Sequence, residues 1–62
     1  MTINELTRML SPSLMISIVN KRDDRYYERW RGEAGNEYLH KLLGNREIKD
    51  FDMSKHPVRI YI

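Results

Sequence analysis

The stretch from Leu14 to Arg31 most constrains the fold, because it contains two strand-like runs around one polar cluster. Leu14–Val19 is apolar and rich in β-branched residues, and Arg25–Arg31 has the character of a second strand. The polar cluster between them, Asn20–Asp24, offers a turn, although it lacks the glycine of a strong Asn-Gly turn signal. The stretch therefore predicts a β-hairpin.

A short helix is predicted before the hairpin, over about residues 3–10. Thr2 and Glu5 have the spacing of a capping box, in which each side chain satisfies a free backbone amide at the helix start. Apolar residues then recur at helical spacing: Ile3, Leu6 and Leu10. Pro12 ends the helix, because the residue before a proline is disfavoured in the α-helical region.

After Gly32 closes the second strand, the hydrophobic period becomes helical from Glu33 to Leu43. The apolar residues of that period are Ala34, Tyr38, Leu39, Leu42 and Leu43. Gly44 is placed where a helix commonly ends in a glycine, at the C′ position. The rest of the chain contains two further strand candidates, Glu47–Met53 and Val58–Ile62.

These elements predict one α+β domain over residues 1–62, in the order α-β-β-α-β-β. We expect a four-stranded antiparallel sheet with both helices on one face. The strand order 2-1-4-3 is favoured because Leu14–Val19 and Val58–Ile62 are the most apolar strands and suit the centre. The register of the third strand stays open, since Ile48 and Phe51 cannot share a face without a bulge between them.

Strand alternation assigns side chains to two sheet faces. In the second strand, Tyr26, Glu28 and Trp30 share a side that we assign to the core, although Glu28 is an awkward member of it. Trp30 is accordingly predicted to be mostly buried. In the first and last strands the residues predicted to face the core are Leu14, Ile16, Ile18, Val58, Ile60 and Ile62.

The charge excess of the chain lies in the segment Lys21–Arg31, whose five basic and three acidic residues carry the whole net charge of +2. The candidate binding residues are those predicted to face outward: Arg25, Tyr27, Arg29, Arg31, Arg59, Tyr61 and Met15. Arg, Tyr and Met are enriched at protein interfaces, which favours a protein partner. A basic surface with aromatics is also typical of proteins that bind single-stranded nucleic acid. The third alternative is a solvated sheet face without a partner.

Self-association is expected from the size of the chain. A domain of about 60 residues buries only roughly 60% of its unfolded surface, and small domains commonly add disulfides, metals or a second copy. The chain has no cysteine, which excludes disulfides and suits a reducing, cytoplasmic location. A homodimer is therefore expected. No apolar run approaches the ~18 residues of a membrane span, so we expect no membrane partner.

No group of residues predicts an enzyme, a metal site or a cofactor. Glu37 and His40 have the spacing of half a di-iron motif, but the second copy is missing. Asp50 and Asp52 place two carboxylates on one strand face, whereas a calcium loop needs more ligands. A nucleophile with a base and an orienting group is not recognisable. We therefore expect a non-enzymatic protein without a small-molecule substrate.

The run from Trp30 to Ile48 reads WRGEAGNEYLHKLLGNREI and the last strand reads VRIYI. Together they resemble a pattern in small uncharacterised phage and prophage proteins of Gram-positive bacteria. The residues that carry the resemblance are Trp30, Gly32, Ala34, Leu42, Leu43, Ile48, Ile60 and Ile62. Because these residues are of the kind that maintains a fold, the resemblance assigns no functional residue to this chain. The resemblance implies at most an accessory or host-modulating binding protein of a phage.

Overall fold

The computed structural model describes all 62 residues and has the predicted order of elements, α-β-β-α-β-β. The helices and strands are α1 (Ile3–Thr7), β1 (Met15–Arg22), β2 (Arg25–Glu33), α2 (Glu37–Leu43), β3 (Asp50–Asp52) and β4 (Val58–Tyr61). The chain is thus a small α+β fold, as predicted. Neither helix has the length or the apolar character needed to cross a bilayer.

The strand order β2-β1-β4-β3 agrees with the prediction, but the sheet is mixed. The prediction of a fully antiparallel sheet is wrong at its centre, where β1 and β4 are parallel and Ile16 lies opposite Val58. The reason is the connection from β2 to β3. Residues 34–49, which include α2, form a crossover long enough to reverse the chain, so that β3 runs in the same direction as β2.

One hydrophobic core lies between the sheet and the two helices. Its central sheet residues, Ile16, Ile18 and Ile60, are completely buried, in agreement with the predicted alternation. The core residues from the helices are Ile3, Leu6, Leu39 and Leu43. Because both helices contribute to the same cluster, both cover the same face of the sheet and leave the other face without a second layer.

The predicted capping box at the start of α1 is confirmed. The Oγ1 atom of Thr2 accepts a hydrogen bond from the Glu5 N–H (3.2 Å), and the Glu5 carboxylate accepts one from the Thr2 N–H (3.1 Å). The helix ends earlier than predicted, at Thr7, whose hydroxyl donates to the Ile3 carbonyl at 2.9 Å. A threonine hydroxyl that donates to the carbonyl four residues earlier competes with the backbone N–H groups for that carbonyl, and this weakens the helix at its last turn.

α2 begins four residues later than predicted, because β2 continues through Glu33. Asn36 caps the helix, and its Oδ1 accepts from the backbone N–H groups of Tyr38 (2.8 Å) and Leu39 (3.2 Å). Only part of the predicted apolar stripe faces the core. Leu39 is buried, whereas Tyr38 and Leu42 are exposed.

Gly44 ends α2, but it does not have the left-handed conformation of a C′ glycine. Its φ of −58° and ψ of −30° are ordinary helical values. Glycine is needed there for space, since a β-carbon would collide with the side chain of Asn4 on α1. The Asn4 N–H also donates to the Gly44 carbonyl at 2.9 Å. This close approach joins the two helices.

The β1–β2 hairpin contains a β-bulge that the regular alternation does not foresee. Ile18 lies opposite Trp30 and Val19 lies opposite Glu28, so Arg29 is an extra residue without a partner on β1. An extra residue moves every side chain on one side of it to the other face of the sheet. The assignment of Tyr26 and Glu28 to the core is therefore wrong. Trp30 is on the core side as predicted, but it is only partly buried.

The ambiguity in the third strand is resolved by its length. β3 has only three residues, and Ile48 precedes it in irregular chain while packing against the core. Phe51 lies opposite Ile60 and so is on the helix side at the sheet edge, where 42% of its surface is exposed. Both apolar residues can share a side because the chain between them is not a regular strand.

Candidate binding surface

The face of the sheet away from the helices, here called the open face, contains alternate residues of the four strands, with the alternation shifted by one residue at the bulge in β2. Strand pairing places these residues together, because residues directly opposite each other point to the same side. The open face consists of Met15, Ser17, Val19, Lys21, Tyr26, Glu28, Arg31, Glu33, Asp50, Asp52, Arg59 and Tyr61. Acidic and basic groups alternate over it, with tyrosines between them.

A depression of about 370 Å³ lies on the open face. Ser17 and Val19 of the central strand line it, and they are 3% and 7% exposed although no second layer covers this side. The longer side chains of the neighbouring strands close over them. The turn before β4 adds Lys55, His56 and Pro57 to one wall.

Two tyrosines meet above the central strand. Tyr26 is on β2 and Tyr61 is on β4, with β1 between them, so their backbones are separated by about 10 Å. Their ring centroids are nevertheless only 5.7 Å apart, in an edge-to-face arrangement. The rings therefore lean towards each other over β1, which explains why Val19 beneath them is buried. Tyr26 stays 59% exposed and offers its ring to solvent or to a partner.

Glu28 and Arg31 form a two-bonded ion pair, with the guanidinium Nε and Nη2 each 2.8 Å from a carboxylate oxygen. The bulge makes this pair possible, because residues three apart on a regular strand face opposite sides. Hydrogen bonding to Arg31 holds the pKa of Glu28 below its ordinary value, with smaller contributions from Ser17 and Arg59. Arg31 is thus already satisfied within the chain.

Arg59 occupies the middle of the open face and has no ion pair of its own. The structure contains two ion pairs, one at the amino group of Met1 and the other between Glu28 and Arg31. The pKa of Asp52 is lowered mainly by Ser54, whose hydroxyl donates to that carboxylate at 2.6 Å, and to a smaller extent by the charges of Lys55 and Arg59. After the hydrogen bond from Arg31, the charge of Arg59 also contributes to the lowered pKa of Glu28 on its other side. Arg59 therefore lies between two carboxylates, while the N–H groups of its guanidinium have no hydrogen-bond partner within the chain.

The predicted binding residues lie on two surfaces rather than one. Arg31, Arg59, Tyr61 and Met15 are on the open face, as predicted. Three others are not: Arg25, Tyr27 and Arg29 are on the side of Trp30 or at the bulge itself. Sequence reasoning missed Tyr26 and Glu28 on the open face. The signal was Glu28, since a carboxylate assigned to an apolar core face indicates that the alternation is broken between it and Trp30.

The histidine and carboxylate pairs singled out in the sequence do not assemble into a larger cluster. No group of three or more His, Asp or Glu side chains is arranged to hold a metal ion. The Nε2 of His40 is 2.9 Å from the carbonyl oxygen of Ala34, to which it donates, and so links the middle of α2 to the residue that follows β2. Asp50 and Asp52 both lie on the open face beside β4.

Comparisons with protein-family models, curated protein sequences and solved structures found no match for this chain.

Proposed function

We propose that this chain is a non-enzymatic binding protein that associates with a polypeptide through its open face, and that the partner is a second copy. The observation that carries the proposal is Arg59, a guanidinium without an ion pair at the centre of a sheet face that also bears Tyr26 and Tyr61. Arg and Tyr are the residues most often found at the energetic centre of protein interfaces. Arg59 would pair with a carboxylate of the partner.

The charges of the open face favour a second copy over a nucleic acid. The acidic residues there are Glu28, Glu33, Asp50 and Asp52. The basic residues are Lys21, Arg31 and Arg59 on the strands, together with Lys55 in the wall of the depression. A face with equal numbers of both signs can complement itself across a two-fold axis. A polyanion would gain no net electrostatic attraction from a face on which the two signs balance.

The size of the molecule is compatible with such a dimer. Its two longer dimensions, 31 and 23 Å, bound a face of roughly 700 Å², close to the ~800 Å² per partner of a standard protein interface. A dimer would therefore use most of one face. The resemblance to small phage proteins supports an accessory role for such a protein. The lack of cysteine supports a cytoplasmic location.

Light scattering on a size-exclusion column at about 10–100 μM tests the proposal, a range in which a Kd near 1 μM gives mainly dimer. The wild type is expected at twice its 7.5 kDa mass. Arg59→Glu should give a monomer, because it places a fifth acidic group at the centre of the face. Arg8→Glu, with the same charge change at an exposed residue after α1, should stay dimeric. A wild-type monomer throughout the range, or equal behaviour of both variants, would refute the proposal.

A further inference from the structure

We propose a second binding site, for single-stranded nucleic acid, on the other side of the hairpin end. The site is the arginine patch, defined as Arg22, Arg25, Tyr27 and Arg29. It faces away from the open face, so it is separate from the surface assigned to dimer formation. The proposal does not depend on the proposed dimer.

The fold leaves this part of the hairpin uncovered. β4 pairs with β1 only from Ile16 to Val19, so the segment from Asn20 to Tyr27 projects beyond the central pair of strands. A depression of about 510 Å³ lies there, and none of its lining residues belongs to a helix. It is lined by Asn20, Arg22, Asp23, Tyr27 and Arg29.

The arginines in this patch are neither paired nor well separated. Arg22 and Arg25 lie directly opposite each other across the hairpin, and like charges in that position destabilise a sheet. None of the three arginines forms an ion pair. Asp23 is the single carboxylate in the depression, so the patch keeps an excess of positive charge. A bound phosphate backbone would relieve the repulsion between Arg22 and Arg25.

The bulge supplies the third arginine. In a regular strand Arg29 would alternate away from its neighbour Trp30, but as the extra residue of a bulge it lines the same depression as Arg22 and Tyr27. Bulges commonly re-aim one side chain in this way. The result is a basic surface at the end of the hairpin that also contains the ring of Tyr27.

Tyr27 indicates which class of polyanion the arginine patch would bind. It is 48% exposed and lies among the arginines, opposite Asn20. Proteins that bind single strands combine basic side chains for the phosphates with aromatic rings on which bases stack. A sulfated sugar chain or an acidic peptide has no base to stack, so Tyr27 would contribute little to binding either of them. The patch thus fits single-stranded DNA or RNA.

The test is fluorescence anisotropy with a labelled oligothymidine of about 15 nucleotides. The salt concentration is about 50 mM, because electrostatic binding is strong at low salt. The wild type should bind, and its affinity should fall with a log–log salt slope near −2, as expected for about three phosphates on a single strand. The triple variant R22Q/R25Q/R29Q should lose binding. The matched control R8Q/K41Q/K49Q removes the same charge from other exposed positions and should keep it.

A second pair of variants tests whether bases stack on Tyr27. Tyr27→Ala should weaken oligonucleotide binding about tenfold, whereas Tyr38→Ala, which removes an exposed tyrosine from α2, should leave it unchanged. Circular dichroism confirms that each variant is folded. The proposal is overturned if the wild type does not bind, if both triple variants lose binding equally, or if heparin binds as tightly and Tyr27→Ala has no effect. Light scattering on R22Q/R25Q/R29Q should still show the dimer if that separate proposal holds.

Discussion

The indole ring of Trp30 lies over Gly32, so close that a β-carbon on Gly32 would stand 2.6 Å from Cη2 of the ring and 2.8 Å from Cζ2. Two residues apart on one strand, they share the core side of β2. The ring takes the space that a side chain at residue 32 would fill, and it closes the edge of the core next to Ile18.

Gly32→Ala should therefore destabilise the protein by about 1–3 kcal/mol, as overpacking generally does. The measurement is denaturant unfolding of a double-mutant cycle with Trp30→Leu. With the ring removed, alanine no longer collides and glycine's strand penalty of roughly 0.5–1 kcal/mol is relieved. Gly32→Ala should then be neutral or stabilising. An equal loss in both backgrounds would show that the ring is not the cause.

Deletion of Arg29 tests the bulge. Because Arg29 has no partner on β1, its removal leaves every existing pair in place. The folded state should survive with a loss of about 1 kcal/mol or less, the usual range away from core and capping sites. Deletion of Tyr27, which is paired with Asn20, should instead shift the register of the hairpin end. Amide chemical shifts of Lys21 and Tyr26 distinguish the two outcomes, and equally large shifts in both variants would contradict the assigned bulge.

The ion pair between Glu28 and Arg31 predicts a specific pH dependence. The pKa of Glu28 is lowered mainly by Arg31, so its contribution to the free energy of unfolding is complete above the unfolded-state pKa and is lost as pH falls through the lower folded-state pKa. Arg31→Gln should raise the pKa of Glu28 towards its ordinary value. Carboxyl NMR titration measures it.

The internal control for that titration is Glu5. Its pKa is lowered by its hydrogen bonds with Thr2 in the capping box, far from β2. It should keep the same lowered pKa in Arg31→Gln. A change at both carboxylates would indicate a general loss of structure, and no change at Glu28 would show that the pair does not form in solution.

The cap of α2 is expected to matter because the helix has only seven residues. Asn36→Ala removes an acceptor for two backbone N–H groups and should lower the free energy of unfolding by about 1 kcal/mol. Asn45→Ala is the matched control, since Asn45 is exposed and lies outside the helix. Thermal unfolding compares the two variants. Equal melting temperatures would argue against the cap.

The sequence predicts the elements, the strand order and most of the core, because each depends on local patterns. Apolar β-branched residues recur at every second position, Ile16 and Ile18 in β1 and Val58 and Ile60 in β4. Thr2 and Glu5 carry a complete capping signal. The parallel pairing of β1 with β4 could not be predicted in this way. It depends on the path of residues 34–49, whose direction no local pattern records.

The candidate surface was predicted less well than the fold, and one residue accounts for the difference. A single extra residue, Arg29, reverses the faces of Arg25, Tyr26, Tyr27 and Glu28 together. Arg59 and Tyr61 on the regular strand β4 were placed correctly. Alternation is a reliable guide only as far as the next bulge, and a bulge has no fixed sequence signature.

The central position of β4 determines when the sheet can be completed. The β1–β2 hairpin pairs neighbours in sequence, whereas Ile16 meets Val58 across most of the chain, and such distant pairing forms slowly because its loop-closure entropy is large. Until β4 arrives, the inner edge of β1 has open backbone groups beside uncovered isoleucines. That edge can accept the same strand from another molecule. We therefore expect correct folding to compete with strand exchange between copies, and exchange to gain as the protein concentration rises.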